Sequence, residues 1–132
     1  MTEAGAMPTT AGRVLLAGDE TIIPVISGLI ESLPDGARGQ IFIEVASSAQ
    51  IVPIETPERI TVSWLARDVR RGACGQALTA AVTAWVAEMT TGDVVLDGAE
   101  LCVWLGGEAA TVDELRADVA HRLGSSRVTL AR

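Results

Sequence analysis

Val14-Leu15-Leu16-Ala17-Gly18-Asp19-Glu20-Thr21-Ile22-Ile23-Pro24 is the stretch that decides the fold. Val14 to Ala17 is a short, wholly apolar run of the kind buried strands use, and it stops at Gly18. Immediately afterwards Ile22, Val25, Ile26, Leu29, Ile30 and Leu33 recur at helical spacing. A strand that turns this tightly into a helix leaves backbone N–H groups and the positive helix end aimed at one spot. Open α/β sheets hold phosphates there. This chain instead puts two carboxylates, Asp19 and Glu20, where an anion would sit.

Outward from that junction, strand-like runs recur at Arg13–Ala17, Gln40–Val45, Ile60–Leu65, Leu101–Leu105 and Arg127–Leu130. Most are rich in Val, Ile, Leu and Trp and do not alternate strictly, as expected of strands covered on both faces. Helical patterns fall between them. Thr21–Leu33 is closed by Pro34-Asp35-Gly36. Gln76–Met89 carries Leu78, Val82, Trp85, Val86 and Met89. In Thr111–Leu123, Thr111 is the expected N-cap, Glu114 stands three residues on and Gly124 is the expected C-cap. Alternating β and α elements with right-handed crossovers predict a three-layer α/β domain around a five-stranded parallel sheet of order 3-2-1-4-5. The switch point lies between the first and fourth strands, so the loops after Ala17 and Leu105 should face one another. Ser47–Arg59, with Pro53 and Pro57, reads as a long connection with at most a short helix, and Asp68–Gly75 as a second loop.

With 132 residues, 48% of them hydrophobic, one domain over 13–132 can bury roughly two-thirds of its unfolded surface without a disulfide. Residues 1–12, lacking a basic region and an apolar stretch, read as a flexible lead-in rather than a signal peptide. Cys74 and Cys102 have no metal-ligand companions nearby, and we expect reduced thiols in a cytoplasmic protein. No run approaches the ~18 apolar residues of a membrane helix. A net charge of −7, with ten arginines and no lysine, argues against nucleic acid as a partner. It also removes Schiff-base and P-loop-lysine chemistry.

Three constellations carry the chemistry. Gly18, Asp19, Glu20 and Thr21 face Gly106, Gly107 and Glu108 across the switch point, as a ligand crevice or as two ordinary turns whose side chains cap helices. Glu44, ending the second strand, is placed either to accept from a ribose 2′-OH or as a solvated strand end. Arg67, with Arg70 and Arg71, would receive an adenosine phosphate or balance neighbouring carboxylates. Glu44 and Arg67 thus give opposed signals about a 2′-phosphate. His121, the sole histidine, lies far from the switch point, so neither a Ser-His-Asp constellation nor a zinc cluster is expected, and no catalytic residue is assigned. Cys74, with no histidine beside it, reads as structural, and Trp64 and Trp104 as core.

Leu15-Leu16-Ala17-Gly18-Asp19-Glu20-Thr21 followed by Pro24 resembles the opening of the C-terminal domain of siderophore-interacting proteins, the flavin-dependent ferric-siderophore reductases. Ile43-Glu44-Val45, Val62-Ser63-Trp64-Leu65 and Val103-Trp104-Leu105-Gly106-Gly107-Glu108-Ala109-Ala110 are similar to that family in order and spacing. The resemblance implies the pyridine-nucleotide half of a ferredoxin-reductase-like architecture. Gly18, Asp19, Glu20 and Thr21 would border the nicotinamide and ribose, Glu44 and Arg67 would lie towards the adenosine, and Gly106, Gly107 and Glu108 would close the crevice. It also implies electron flow from NAD(P)H through FAD to ferric iron. The family's flavin-binding barrel has no counterpart in 1–12, and its Gly-Tyr-Trp-Arg type tail has none either, since tyrosine is absent. The expectation is therefore a stand-alone domain without an FAD site of its own, working with a separate flavin protein. The alternatives are a non-catalytic interaction module, homodimeric or partner-binding, and an enzyme acting on a small cation held by Asp19, Glu20 and Glu108.

Overall fold

The computed structural model describes residues 13–33, 36–70, 74–89, 101–123 and 128–131. The expected lead-in 1–12, the Pro34-Asp35 stop, Arg71 and the Gly124 cap lie outside them. In chain order the elements are β1 (Arg13–Asp19), a 3-10 turn (Glu20–Ile22), α1 (Ile23–Glu31), β2 (Arg38–Val45), a 3-10 turn (Ser48–Gln50), β3 (Ile60–Ala66), α2 (Arg67–Arg70), α3 (Gln76–Met89), β4 (Leu101–Leu105), α4 (Ala109–Leu123) and β5 (Val128–Ala131).

The fold is α/β, a parallel sheet flanked by helices. β3, β2, β1 and β4 lie side by side in that order, every pair parallel. β5 pairs parallel with β4 from Leu101↔Val128 to Trp104↔Ala131. β1 is central, and Val14, Leu15, Leu16 and Ala17 are all wholly buried. Its alternate residues serve opposite layers, so the apolar run shows no alternation. Val14 and Leu16 join Ile22, Ile26 and Leu29 beneath α1. Leu15 and Ala17 join Leu78, Val82 and Val86 of α3 and Val112, Leu115 and Val119 of α4. Truncating one of the larger of these to alanine removes about 2–5 kcal/mol of stability.

Several boundaries differ from the sequence reading. β1 runs on to Asp19, so the loop's first carboxylate belongs to the strand end. α1 is preceded by a 3-10 turn that Asp19 caps. α4 begins at Ala109, because Ala109 and Ala110 extend the helix favourably. Glu108 then accepts the first helical bond, from the Val112 N–H. Thr111, expected as the N-cap, lies inside the helix and donates its hydroxyl to Glu108. One helical turn, α2, occupies the start of the expected 68–75 loop. The connection after β2 holds a capping box at Ser47 and Gln50 and then runs without helix to β3, with Ile54 packed on the core. No helix among the described residues is long and apolar enough to cross a membrane.

Candidate functional site at the carboxyl edge

β1 and β4 are register neighbours through Ala17↔Leu105, so their following loops leave the sheet side by side. The Gly106 N–H donates to the Ala17 carbonyl at 3.0 Å and carries the ladder past the end of β4. Gly18 and Gly106 are glycine because the loops touch. A Cβ on Gly18 would lie 2.5 Å from a methyl carbon of Ile22 and 2.9 Å from the Gly106 carbonyl oxygen. A Cβ on Gly106 would meet Ile22 and the Trp104 ring within 3 Å. Here the glycines bring protein onto protein.

Asp19 fastens the two loops. One oxygen of its carboxylate accepts from the Thr21 N–H at 2.9 Å and from the Thr21 hydroxyl at 2.5 Å. The other accepts from the Glu108 N–H of the opposite loop at 3.3 Å. Gly107 makes this approach possible: its φ of +113° is one that L side chains avoid, and a Cβ there would stand 2.8 Å from the Asp19 carboxyl carbon. Glu20 follows Asp19, half-buried, with one carboxylate oxygen enclosed and without a hydrogen-bond partner.

Glu44 is only 1% exposed, which overturns the solvated strand-end reading. One oxygen accepts from the Arg67 guanidinium at 2.8 Å and from the Gly75 N–H at 2.7 Å; the other accepts from the Leu78 N–H at 2.9 Å. α3 starts after a glycine, which has no side chain to satisfy the first helical N–H groups, and Glu44 supplies the cap from a neighbouring strand. The negative charge also complements the helix's positive end. Arg67 is raised above its ordinary pKa, first by the hydrogen bond to Glu44 and also by the nearby charge of Glu20. The two residues that the sequence set in opposition form one ion pair.

Cys74 joins this cluster, although no histidine or other catalytic neighbour in the sequence marks it. It is exposed, and Arg67 donates towards its sulfur at 3.8 Å. Desolvation raises the thiol pKa, Arg67 opposes the shift, and Glu108, Glu44 and Asp19 add to it. Cys74 is therefore held as a thiol and is poorly activated for attack. Arg71 and the Arg70 side chain lie outside the described residues.

The edge thus gathers Asp19, Glu44 and Glu108 about one small cavity, with Glu44 and Glu20 acting on Arg67 beside it. The space enclosed by Asp19, Glu44, Cys74, Gly75, Gly106, Glu108 and their neighbours is about 10 Å³, room for one water at most. A dinucleotide diphosphate does not fit between these loops: the Thr21 and Glu108 donors already serve Asp19, and the carboxylates would repel it. Open room begins next door. A groove of about 450 Å³, lined by Cys74, Gly75, Gln76, Thr79, Thr111 and Glu114, separates the first turns of α3 and α4. Among the described residues no three His, Cys, Asp or Glu side chains are arranged to hold a metal ion.

Against known proteins, a family model described as siderophore-interacting protein matches residues 11–131. An uncharacterized protein of Mycobacterium tuberculosis is 43% identical over 56 residues, 42% of this chain and 20% of that protein. The ferric vibriobactin reductase ViuB of Vibrio cholerae is 37% identical over 54 residues, 41% of this chain and 20% of its own length. The crystal structure of a siderophore utilization protein from T. fusca superposes with a TM-score of 0.68 at 29% identity, covering 94% of this chain and 45% of that one. The chain therefore spans under half of the length of that structure, and the curated matches cover one-fifth of theirs.

Proposed function

The chain belongs to the siderophore-interacting protein family, and from that premise we propose that it serves as the nucleotide-side domain of a ferric-siderophore reductase system. In such a system NAD(P)H and a flavin carry the electrons to ferric iron, and the domain contributes position and electrostatics. The observation that carries the reading is the meeting of Gly18–Thr21 and Gly106–Glu108 at one switch point on the carboxyl edge, where α/β sheets receive their ligands. The similarity to the V. cholerae reductase supports it.

The crevice between the loops is closed, so the domain alone holds nucleotide weakly, with the groove beside α3 and α4 as the available room. The flavin is held outside residues 13–131, by whichever polypeptide carries the flavin-binding barrel, and the system works in the cytoplasm, where NAD(P)H is found. The same closure favours a second reading, a non-catalytic module that pairs with a second copy or another protein and carries a vestigial crevice.

Titrating NADH and NADPH while following tryptophan fluorescence separates the two. Trp104 packs beside Gly106 and is 5% exposed, so it should report events at the edge. A saturable change in the millimolar range is the expected result. No response, together with a clean dimer by light scattering, would replace the first reading with the second.

A further inference from the structure

We propose that the amino edge of the sheet carries a binding site of its own, for an apolar monocarboxylate. The head group lies between Arg13 and Arg38, and the body lies along Trp85 and Phe42. The site goes beyond the nucleotide reading and shares no residue with it, since a seven-residue strand puts about 20 Å between Arg13 and Asp19.

Arg13 and Arg38 open β1 and β2 and are register partners on adjacent parallel strands. Side chains alternate along a strand, so Arg13 shares a face with Leu15 and Ala17, and Arg38 with Phe42. That is the face α3 covers through Leu78, Val82 and Val86, and α3 brings Trp85 to the same place. Arg13, Arg38, Gly39 and Trp85 line a cavity of about 220 Å³, and Gly39 has no side chain to fill it. Arg59 lengthens the row, its carbonyl accepting the Gly39 N–H at 3.1 Å. Like charges on neighbouring strands repel, and these arginines stand together although the chain's net charge is −7. An anion relieves that repulsion. Each guanidinium has five N–H donors, so it can hold a protein neighbour and a ligand oxygen at once. Trp85 also lines a second cavity, of about 660 Å³, with Phe42, Ala81, Ala84, Ala87 and Glu88. Its walls are apolar apart from Glu88, which repels an anion. A ligand spanning both cavities is therefore polarised, with its carboxylate towards the arginines and its apolar body over Phe42 and the alanines. Burial of that body supplies affinity, and the guanidiniums fix its direction.

Octanoate and 3-phenylpropionate are the probes, and the Trp85 indole N–H and Gly39 backbone N–H resonances are the readout. Both resonances should move saturably at millimolar probe in the wild-type chain, and the tighter probe shows whether an alkyl or an aromatic body fills the larger cavity. Octanol has the tail without the charge, and inorganic phosphate has charge without the tail. Each should bind at least about tenfold more weakly than octanoate. Arg38→Gln, at an exposed position, should weaken octanoate about tenfold, and Arg13→Gln should do the same. Thermal melts establish that each variant is folded. Resonances that neither probe moves would overturn the proposal. So would octanol or phosphate binding as tightly as octanoate, or folded Arg13→Gln and Arg38→Gln forms that bind it as the wild-type chain does. A dimer by light scattering whose Trp85 no probe reaches would give the groove to a second copy and overturn it likewise. None of these measurements involves the switch point, so the nucleotide titration stands or falls separately.

Discussion

Asp19 and Glu44 are register partners at the ends of adjacent strands, both acidic, and both accept backbone N–H groups at the start of a helix. They nonetheless hold together different things. Glu44 is sealed from water, neutralised by Arg67 and fixed to the first turn of α3. Asp19 is half-exposed, is bonded by neutral groups, and ties one loop to another. A buried carboxylate with a counter-ion is hard to remove without stranding its partners, whereas a half-exposed one can fall back on water. Of two equivalent positions on one sheet edge, one has become part of the core and the other remains a feature of the surface.

That contrast makes its largest prediction in stability. Glu44→Ala strands a guanidinium and two helix N–H groups, and should lower the unfolding free energy by about 3 kcal/mol. Asp19→Ala removes an N-cap and should lower it by about 1 kcal/mol. Urea unfolding of both variants measures the difference. Equal losses would mean that burial does not separate these two residues, and the comparison would fail.

A smaller effect sharpens the Asp19 side. Gly107→Ala faces two penalties, a positive φ and a Cβ 2.8 Å from the Asp19 carboxyl carbon. Together they should cost about 2 kcal/mol. Only the second penalty depends on Asp19. In the Asp19→Ala background the Gly107→Ala loss should therefore shrink, and a double-mutant cycle reads that coupling directly. Strict additivity would show that the two loops do not press on each other.

These residues also show where the sequence was readable. Val14 to Ala17 gave the central strand, and Leu78, Val82 and Val86 gave α3 with its observed limits, because period and burial agree there. The meeting of the β1 and β4 loops followed from topology, and the Gly18–Thr21 and Gly106–Glu108 motifs from family resemblance. The capping role of Glu44 was not legible, because the two helix N–H groups it accepts from sit 31 and 34 residues further on and belong to the backbone. One clue was available. Cys74-Gly75 precedes a long helix without a Ser, Thr, Asp or Asn to cap it, so a cap had to come from elsewhere. The bond from Glu108 to Asp19 was hidden for the same reason: nothing in a side-chain pattern announces a backbone N–H as a partner. The start of α4 was misplaced because Thr111 looks like a cap, while Ala109 and Ala110 extend the helix ahead of it.

Cys74 offers the finest discrimination, since its thiol senses both carboxylates. Desolvation is the main cause of its raised pKa, followed by the opposing charge of Arg67, then by Glu108, Glu44 and Asp19 in falling order. Alkylation requires the thiolate, so a raised pKa delays labelling to higher pH. With iodoacetamide, the wild-type labelling midpoint should lie above that of an unhindered cysteine peptide. Glu108→Gln removes a negative charge and should move the midpoint down, and Asp19→Asn should move it in the same direction by less. Arg67→Met removes the cation that, among the described residues, favours the thiolate, and should move it up. The experiment also separates field from contact, because neither Glu108 nor Asp19 needs to touch the sulfur to act on it. A midpoint unmoved by Glu108→Gln yet raised by Arg67→Met would mean that the thiol answers only to the guanidinium beside it. The edge would then consist of separate pairs, and the single field joining Asp19 to Glu44 would have to be given up.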